Sequence, residues 1–399
     1  MRALLQRRDM RLFVAGQLVS MFGDWALVLV LGIWAKSLTG SSADAGLVFF
    51  TFTAATMLAP LGGYVADRVR RRPLMIVVHL AIGLVVLSLL FVHGRDQLWL
   101  LYLVTFLYGL AGDIFSAARS ALLRVMLPEE MLVDANAVLQ TSREGLRLVA
   151  PLAGAGLYAA FGGGVVAVLD AVTFGLSALS LLALHVDEPR PEPSGRRFRT
   201  ELAAGVRHIA HTRGLRQIVL GVAVALLVVG FAETLIFTIL DRVLHRPPSF
   251  FGVLASLQGA GAIVGGLSAA RLLRQLGDTK LVGLGLIGFA LGDSMFLVPH
   301  LAAVLVGFAV AGAGIAWLIV GFATALQLRT PLAIQARVSA AADLSISLPQ
   351  TVSIAAGAAL STFVDYRVLI VVMGVVSALS GVWLTSRREL AAQVEPALT

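Results

Sequence analysis

The chain has 399 residues, of which 58% are hydrophobic and 14% charged, with a net charge of +8 and no cysteine. A soluble domain carries about a quarter charged residues, so this composition excludes an ordinary soluble protein and indicates a polytopic helical membrane protein. The missing cysteines exclude disulfides and thiol catalysis. The basic charge is expected from arginines that face an anionic inner leaflet rather than from nucleic-acid binding.

Apolar segments long enough to cross a bilayer, about 20 residues each, follow one another along the chain. Twelve spans are predicted, at residues 13–36, 43–65, 73–93, 97–120, 137–161, 164–186, 215–240, 249–273, 279–298, 301–326, 338–363 and 367–386. The first segment lacks the cleavage pattern of a signal peptide. Most of the 31 Lys and Arg residues lie in loops on the same side as both chain ends, which predicts cytoplasmic termini.

The first span carries a polar stripe on an otherwise apolar helix. Gln17, Ser20 and Asp24 recur at spacings of three and four residues, which places them on one helix face. An ionisable group at membrane depth is costly and is therefore a candidate functional residue. Because desolvation favours the neutral carboxyl, Asp24 is predicted to bind and release protons or to pair with a cation. The alternative is a protonated side chain with one structural hydrogen bond.

A cationic turn, residues 62–73, separates the second and third spans. It contains the pattern Gly-x-x-x-Asp-Arg-x-x-Arg-Arg, at Gly63, Asp67, Arg68, Arg71 and Arg72. The pattern resembles the signature loop of the major facilitator superfamily, although Arg70 stands where that loop has its second glycine. The resemblance implies an all-α membrane protein with twelve transmembrane helices in two pseudo-symmetric six-helix bundles.

Charged residues also cluster in the fourth and fifth spans, at Asp113, Arg119, Arg143, Glu144 and Arg147. Glu144 and Arg147 are three residues apart, so charge pairing along the fifth helix is expected. The family resemblance implies that Asp113 contacts Arg71, and that Asp67 faces the start of the eleventh span near Asp343. These contacts would hold an inner gate closed. The alternative is direct contact of this group with protons or substrate.

The connector between the sixth and seventh spans is rich in proline and then in arginine. It predicts an extended linker followed by an amphipathic surface helix. We therefore expect an N-terminal six-helix bundle at 1–186, a cytoplasmic linker at 187–214 and a C-terminal six-helix bundle at 215–399. A glycine pair with two arginines at residues 265–274 repeats part of the signature loop in register, which is typical of duplicated halves.

The second half offers fewer candidates. Glu233, in the seventh span, is predicted to have an outer-cavity or coupling role. Gln258, Trp317 and Gln350 are predicted to line a cavity between the halves. Glycine pairs such as Gly283-x-Gly285 are expected to allow close helix packing.

Three further ionisable residues lie inside predicted spans, and each is expected to have a local role. Asp170 and Asp293 lie in spans that the family keeps peripheral, so both are interpreted as local hydrogen-bond partners. His79 is expected to be packed or hydrogen-bonded. No metal-ligand spacing, nucleotide loop or nucleophile–base set is evident, so no cofactor, metal or enzymatic activity is expected.

Further segments refine the resemblance. Ala150-Pro151 with Gly154 resembles a Gly-Pro element of the drug-antiporter branch, with alanine in place of glycine. The run from Arg8 to Trp25 is similar to a bacterial branch of enterobactin-exporter-like and multidrug-efflux-like proteins, close to a lysophospholipid transporter. This resemblance implies a drug:proton antiporter of the bacterial plasma (inner) membrane.

The function expected from the sequence is proton-coupled efflux of lipophilic, cationic small molecules by alternating access. The expected partners are the small-molecule substrate, protons and membrane lipids, with no nucleic acid, and the expected state is a monomer. One alternative is a lysophospholipid flippase or siderophore exporter of the same fold. Another is a non-transporting membrane receptor or scaffold.

Overall fold

The computed structural model describes residues 6–58, 65, 68–186, 188, 198–331 and 334–387, and all regular elements in these ranges are helical. The first six helices are α1 (Arg8–Thr39), α2 (Ser42–Ala55), α3 (Arg71–Leu87), α4 (Leu98–Met126), α5 (Glu129–Phe161) and α6 (Gly163–Leu182). The remaining helices are α7 (Phe198–His211), α8 (Arg213–Val229), α9 (Ala232–Arg242), α10 (Phe251–Leu276), α11 (Asp278–Ser294), α12 (Leu301–Leu328), α13 (Gln335–Leu360) and α14 (Tyr366–Thr385). Short 3-10 turns cover Thr56–Leu58, Ser88–Phe91, Arg95–Gln97, Pro248–Phe250 and Met295–Leu297.

The helices coincide with the predicted spans to within several residues. Within the described ranges, nine helical segments are long and apolar enough to cross a membrane, with α8 and α9 counted together as Arg213–Arg242. Two shorter apolar segments are Ser42–Leu58 and the part of α5 at Gly145–Phe161. The predicted eleventh span corresponds to α13, which carries Arg337, Asp343 and Gln350. Only segments that satisfy their own backbone hydrogen bonds are stable in lipid, and long apolar helices do so. The arrangement is therefore that of a multi-pass membrane protein.

The chain divides into two compact units, one of Met1–Gly195 with Pro247–Ser256 and the other of Arg196–Arg246 with Leu257–Thr399. In the first unit, α1 packs along α5 and α6, and Leu27 and Leu31 of α1 lie in the core with residues of α3, α4 and α6. Glycine permits close approach at Gly109, where a Cβ would lie 2.7 Å from the Phe52 carbonyl oxygen of α2.

The second unit contains α11 packed against both α12 and α14. Three reciprocal glycine pairs form these crossings: Gly283 with Gly381, Gly285 with Gly314, and Gly292 with Gly307. A Cβ added to either member would lie 2.5–2.7 Å from the carbonyl oxygen of the other. Close backbone packing of this kind holds membrane helices together where apolar surface gives no drive for association.

The predicted seventh span, 215–240, is two helices in the structure. α8 ends at Val229 and α9 begins at Ala232. Between them Gly230 lies against α13, where its Cβ would be 2.6 Å from the Ile354 nitrogen and 2.8 Å from the Gln350 carbonyl oxygen. α13 contains Pro349, which cannot donate a backbone hydrogen bond. The break between α8 and α9 thus lies against the part of α13 that contains Pro349.

The predicted surface helix of the connector is α7, Phe198–His211, which packs along α13. Gly205 lies close to the Arg337 carbonyl of that helix. The proline-rich linker falls outside the described residues except for Glu188. That residue is buried in the first unit.

Candidate functional site

A cavity of about 150 Å³ lies within the first unit. Five helices supply its wall, namely α1, α3, α4, α5 and α6. Its polar and charged lining residues are Gln17, Ser20, Asp24, His79, Tyr108, Ser116, Arg119 and Arg143. Ionisable residues at membrane depth are a functional-site hypothesis by default, so this cavity is the candidate site.

The polar stripe of α1 forms one side of this cavity. Gln17 and Ser20 are 2% and 3% exposed, and Asp24 is half-buried beside them. Gly23 explains the position of Asp24, because this glycine is pressed against α6, where its Cβ would lie 3.2 Å from the Asp170 Cα. The next residue on the helix, Asp24, is then free to line the cavity.

Asp24 and Asp170 are joined through one phenol. The Tyr108 hydroxyl donates to Asp24 Oδ1 over 2.6 Å and lies 3.2 Å from Asp170 Oδ2. Tyr108 is 6% exposed and Asp170 is fully buried. Asp170, expected to be a local hydrogen-bond partner, contacts Thr173 on its own helix and also Tyr108 of the candidate site.

Two guanidinium groups, Arg119 and Arg143, line the same cavity as Asp24. Opposite charges attract more strongly in a poorly hydrated site than in water, so both groups favour an ionised Asp24. Arg119 also donates to Ser116 Oγ over 3.4 Å. The site therefore combines positive and negative groups.

His79 packs as expected. Its ring stacks on Phe115 at a centroid distance of 3.9 Å and an angle of 8°, and lies 5.0 Å from the Phe174 ring. The residue is 3% exposed, and its Nδ1 has no hydrogen-bond partner among the described residues. A buried ring nitrogen without a partner is a polar group that a water or a bound molecule could satisfy.

The signature-loop arginines have a partner that the sequence analysis did not anticipate. Arg71 and Arg72 begin α3, and the Glu188 carboxylate accepts from their backbone N–H groups over 2.5 and 3.1 Å. The Arg71 guanidinium is 3.6 Å from the same carboxylate. Arg72 donates to the Leu181 and Leu182 carbonyls at the end of α6. Glu188 therefore caps the N-terminus of α3. The positive end of the helix dipole lies there and stabilises the negative charge of the carboxylate.

Of the gate contacts implied by resemblance, only that of Asp113 with Arg71 joins two described residues, and the contact of Asp67 near Asp343 stays a prediction. Asp113 Oδ2 is buried without a hydrogen-bond partner, so the expected contact of Asp113 with Arg71 is corrected to Arg71 with Glu188. A carboxylate at a helix N-terminus competes well for that arginine because it also binds two N–H groups. Arg68 and Asp343 are exposed. Gly63 and Asp67 lie outside the described residues.

On α5, Arg143 and Arg147 have different surroundings. Arg143 lines the cavity, whereas the Arg147 guanidinium lies 5.6 Å from the Trp25 ring centroid of α1, a cation–π contact. The side chain of Glu144 lies outside the described residues, so its predicted pairing stays a prediction.

In the second unit, the structure brings Glu233 and Gln350 to neighbouring segments. Glu233 is half-buried in the first turn of α9, and Gln350 packs by its backbone against Gly230. The backbone of Gln258 approaches Gly312, and the Trp317 indole N–H donates to Ser268 Oγ over 2.9 Å. The cavity roles of Gln258, Trp317 and Gln350 stay predictions.

A buried ion pair in this unit joins two residues that are not site candidates from sequence. Arg329 Nη2 donates to Asp278 Oδ1 and, over 3.1 Å, to Thr279 Oγ1. The carbonyl of Arg329 lies 3.0 Å from the His208 Nε2 of α7. Both charged residues flank predicted spans, where the sequence suggests ordinary loop charges, so no local signal distinguishes them.

A family model described as Major Facilitator Superfamily matches residues 13–242 and 222–397. The chain belongs to the Major Facilitator Superfamily. This multi-pass membrane protein is thus a transporter of the MFS type, as the signature loop predicted.

Two sequence relatives of this MFS transporter come from Bacillus subtilis (strain 168). The uncharacterized MFS-type transporter YfiS is 24% identical over 382 residues, which cover 92% of this chain and 90% of the relative. The uncharacterized MFS-type transporter YjbB is 31% identical over 185 residues, 45% of this chain and 44% of the relative.

Solved transporter structures share the fold. A bacterial homologue of the iron transporter ferroportin, in an inward-facing state, has a TM-score of 0.70 at 17% identity and covers 95% of this chain and 99% of that one. The peptide transporter POT in complex with sulfate has a TM-score of 0.75 at 14% identity, with coverages of 94% and 93%. The nucleoside transporter NupG has a TM-score of 0.74 at 11% identity, with coverages of 96% and 100%.

Proposed function

We propose that this MFS transporter exports lipophilic, cationic small molecules in exchange for protons, by alternating access, with Asp24 as the coupling carboxylate. The observation that carries the proposal is the position of Asp24. It is a half-buried carboxyl in the wall of a cavity within the first unit. A proton and a cation compete for one carboxylate, so binding of either favours release of the other.

The rest of the cavity supports this role. Gln17 and Ser20 give polar contacts next to Asp24, and Phe115 and Phe174 supply an apolar wall. Such a surface suits a ligand with a large apolar body and one polar group. Glu144, Arg147 and Glu233 remain proposed coupling or substrate residues.

The test is transport by the purified full-length protein in proteoliposomes under an imposed pH gradient. We expect the wild type to move a cationic dye in exchange for protons, which a dye and an internal pH indicator report together. Asp24→Asn should reduce both signals to the level of empty liposomes while it unfolds at the wild-type temperature. Asp96→Asn is the matched control, because Asp96 is an exposed carboxylate that does not line the cavity. Wild-type exchange by Asp24→Asn would refute the assignment.

A second cargo class has its own support. Arg119 and Arg143 line the same cavity and would attract an anionic headgroup, which favours a lysophospholipid or an anionic siderophore. Transport of labelled lysolipid, measured against the cationic dye in the same liposomes, separates the two. Arg143→Gln should impair lysolipid movement if this second class is correct.

The site of action that we propose is the bacterial inner membrane, with both termini in the cytoplasm and the protein as a monomer. The distribution of Lys and Arg among the loops supports this orientation. We also propose the functional division into bundles 1–186 and 215–399 with the linker 187–214.

A further inference from the structure

The phenol of Tyr108 cannot satisfy both carboxyls that it contacts. Its hydroxyl carries one hydrogen, yet its oxygen lies 2.6 Å from Asp24 Oδ1 and 3.2 Å from Asp170 Oδ2. If that hydrogen goes to Asp24, the contact with Asp170 is a hydrogen bond only when Asp170 is protonated and donates to the phenol oxygen.

Among the described residues, the hydroxyl of Thr173 is also near Asp170 but does not relieve this shortage. Thr173 Oγ1 lies 3.4 Å from Asp170 Oδ1, but it donates its hydrogen to the Asp170 carbonyl oxygen over 2.7 Å. Asp170 is fully buried. A buried ionised carboxylate without a donor is costly, and a second negative charge close by adds to that cost.

The charged groups around the site decide which carboxyl is ionised. Arg119 of α4 and Arg143 of α5 line the cavity beside Asp24, as does His79 of α3. The two guanidinium groups favour charge on Asp24, and full burial favours a neutral Asp170. The resting arrangement is then an Asp170 acid that donates to Tyr108, which donates to an Asp24 carboxylate.

We propose that Asp24, Tyr108 and Asp170 form a single proton-binding site, in which one proton is shared between the two carboxyls through the phenol. To transfer it, the Asp170 O–H bond breaks as a new Tyr108 O–H bond forms. The original phenol hydrogen moves to Asp24, where a new O–H bond forms. Total charge and hydrogen count are unchanged. The proton thus rests on Asp170 while Asp24 is ionised, and its transfer to Asp24 neutralises that carboxylate.

Whether Asp24 and Asp170 share a proton can be tested without a transport assay. The role of that shared proton in coupling rests on the proposed function. Infrared difference spectra of the full-length protein, recorded during pH titration in H₂O and in D₂O, report protonated carboxyls. We expect one such band to vanish in Asp170→Asn. Its amide can donate to the phenol as the protonated acid does, so the fold should be kept. The same band should shift in Tyr108→Phe and titrate at a different pH in Asp24→Asn.

The matched control is Asp293→Asn. Asp293 is also buried, in the other unit, and its Oδ2 has no partner among the described residues. If Asp293→Asn removes a protonated-carboxyl band, Tyr108→Phe should leave that band unchanged. A wild-type spectrum and titration in Asp170→Asn would overturn the proposal, and so would an Asp170 band that Asp24→Asn leaves unchanged.

Transport gives a second readout. In Asp170→Asn the pH of half-maximal exchange should fall by about one pH unit, because loss of the proton then leaves one carboxylate, whereas loss of the shared proton in the wild type leaves two adjacent carboxylates. In Tyr108→Phe it should rise by about as much, because the carboxylate loses that donor. If the wild type transports normally and both variants keep the wild-type pH profile of exchange, the shared proton site is contradicted. Normal exchange by Asp24→Asn contradicts the proposed function instead.

Discussion

Removal of Asp278 should destabilise the second unit through the charge that it leaves behind. The Arg329 and Asp278 side chains are 9% and 8% exposed, so the pair is largely excluded from water. Breaking a buried pair by removal of one partner costs about 3–5 kcal/mol, because the remaining charge is uncompensated. Arg329 keeps its 3.1 Å hydrogen bond to Thr279 Oγ1 in Asp278→Ala. We therefore expect the lower end of that range, about 3 kcal/mol.

Two further variants separate the charge effect from other losses. The double variant Asp278→Leu with Arg329→Met replaces the pair by apolar side chains, and should recover to within about 1 kcal/mol of the wild type. The control Asp96→Ala removes an exposed carboxylate and should change stability by less than about 0.5 kcal/mol. Unfolding in mixed detergent micelles, followed by tryptophan fluorescence, measures all of them. A double variant as unstable as Asp278→Ala would refute the argument.

Two other substitutions test contacts in the first unit. Glu188→Gln should destabilise the first turn of α3 by about 1–2 kcal/mol, since a charged acceptor of the Arg71 and Arg72 N–H groups is lost. Hydrogen exchange of the first amides of α3 should then accelerate, and unchanged exchange would argue against the cap. Gly109→Ala should cost about 1–3 kcal/mol, because its Cβ would lie 2.7 Å from the Phe52 carbonyl oxygen. Gly156→Ala, with nothing within 4 Å, should unfold no earlier than the wild type.

The helix positions could be predicted from sequence because lipid imposes one solution on a long apolar segment. The backbone must satisfy its own hydrogen bonds, so an apolar run of about 20 residues becomes a helix. α11, observed at Asp278–Ser294, was expected at 279–298. The break at Gly230 could not be predicted, because it depends on the approach of α13 near Gln350 and Ile354. Glycine occurs in many continuous membrane helices.

The site was predictable to the extent that it is local. The spacing of Gln17, Ser20 and Asp24 places them on one face of a helix, and the structure puts all three in one cavity wall. Tyr108 and Asp170 come from other helices, and sequence spacing carries no information about which hydroxyl meets which carboxyl. The contact of Arg71 with Glu188 could not be predicted, because Glu188 belongs to a connector whose proline-rich composition suggests a solvated linker.

The reciprocal glycine pairs of α11 constrain what variation this half of the molecule can accept. Each pair, such as Gly285 with Gly314, leaves no volume for a methyl group on either side. A side chain at one position cannot be accommodated by shrinking its counterpart, which is already glycine, so the helices would have to separate. New cargo preferences would therefore have to be acquired on other helices of that unit, while α11, α12 and α14 keep their spacing as a fixed frame.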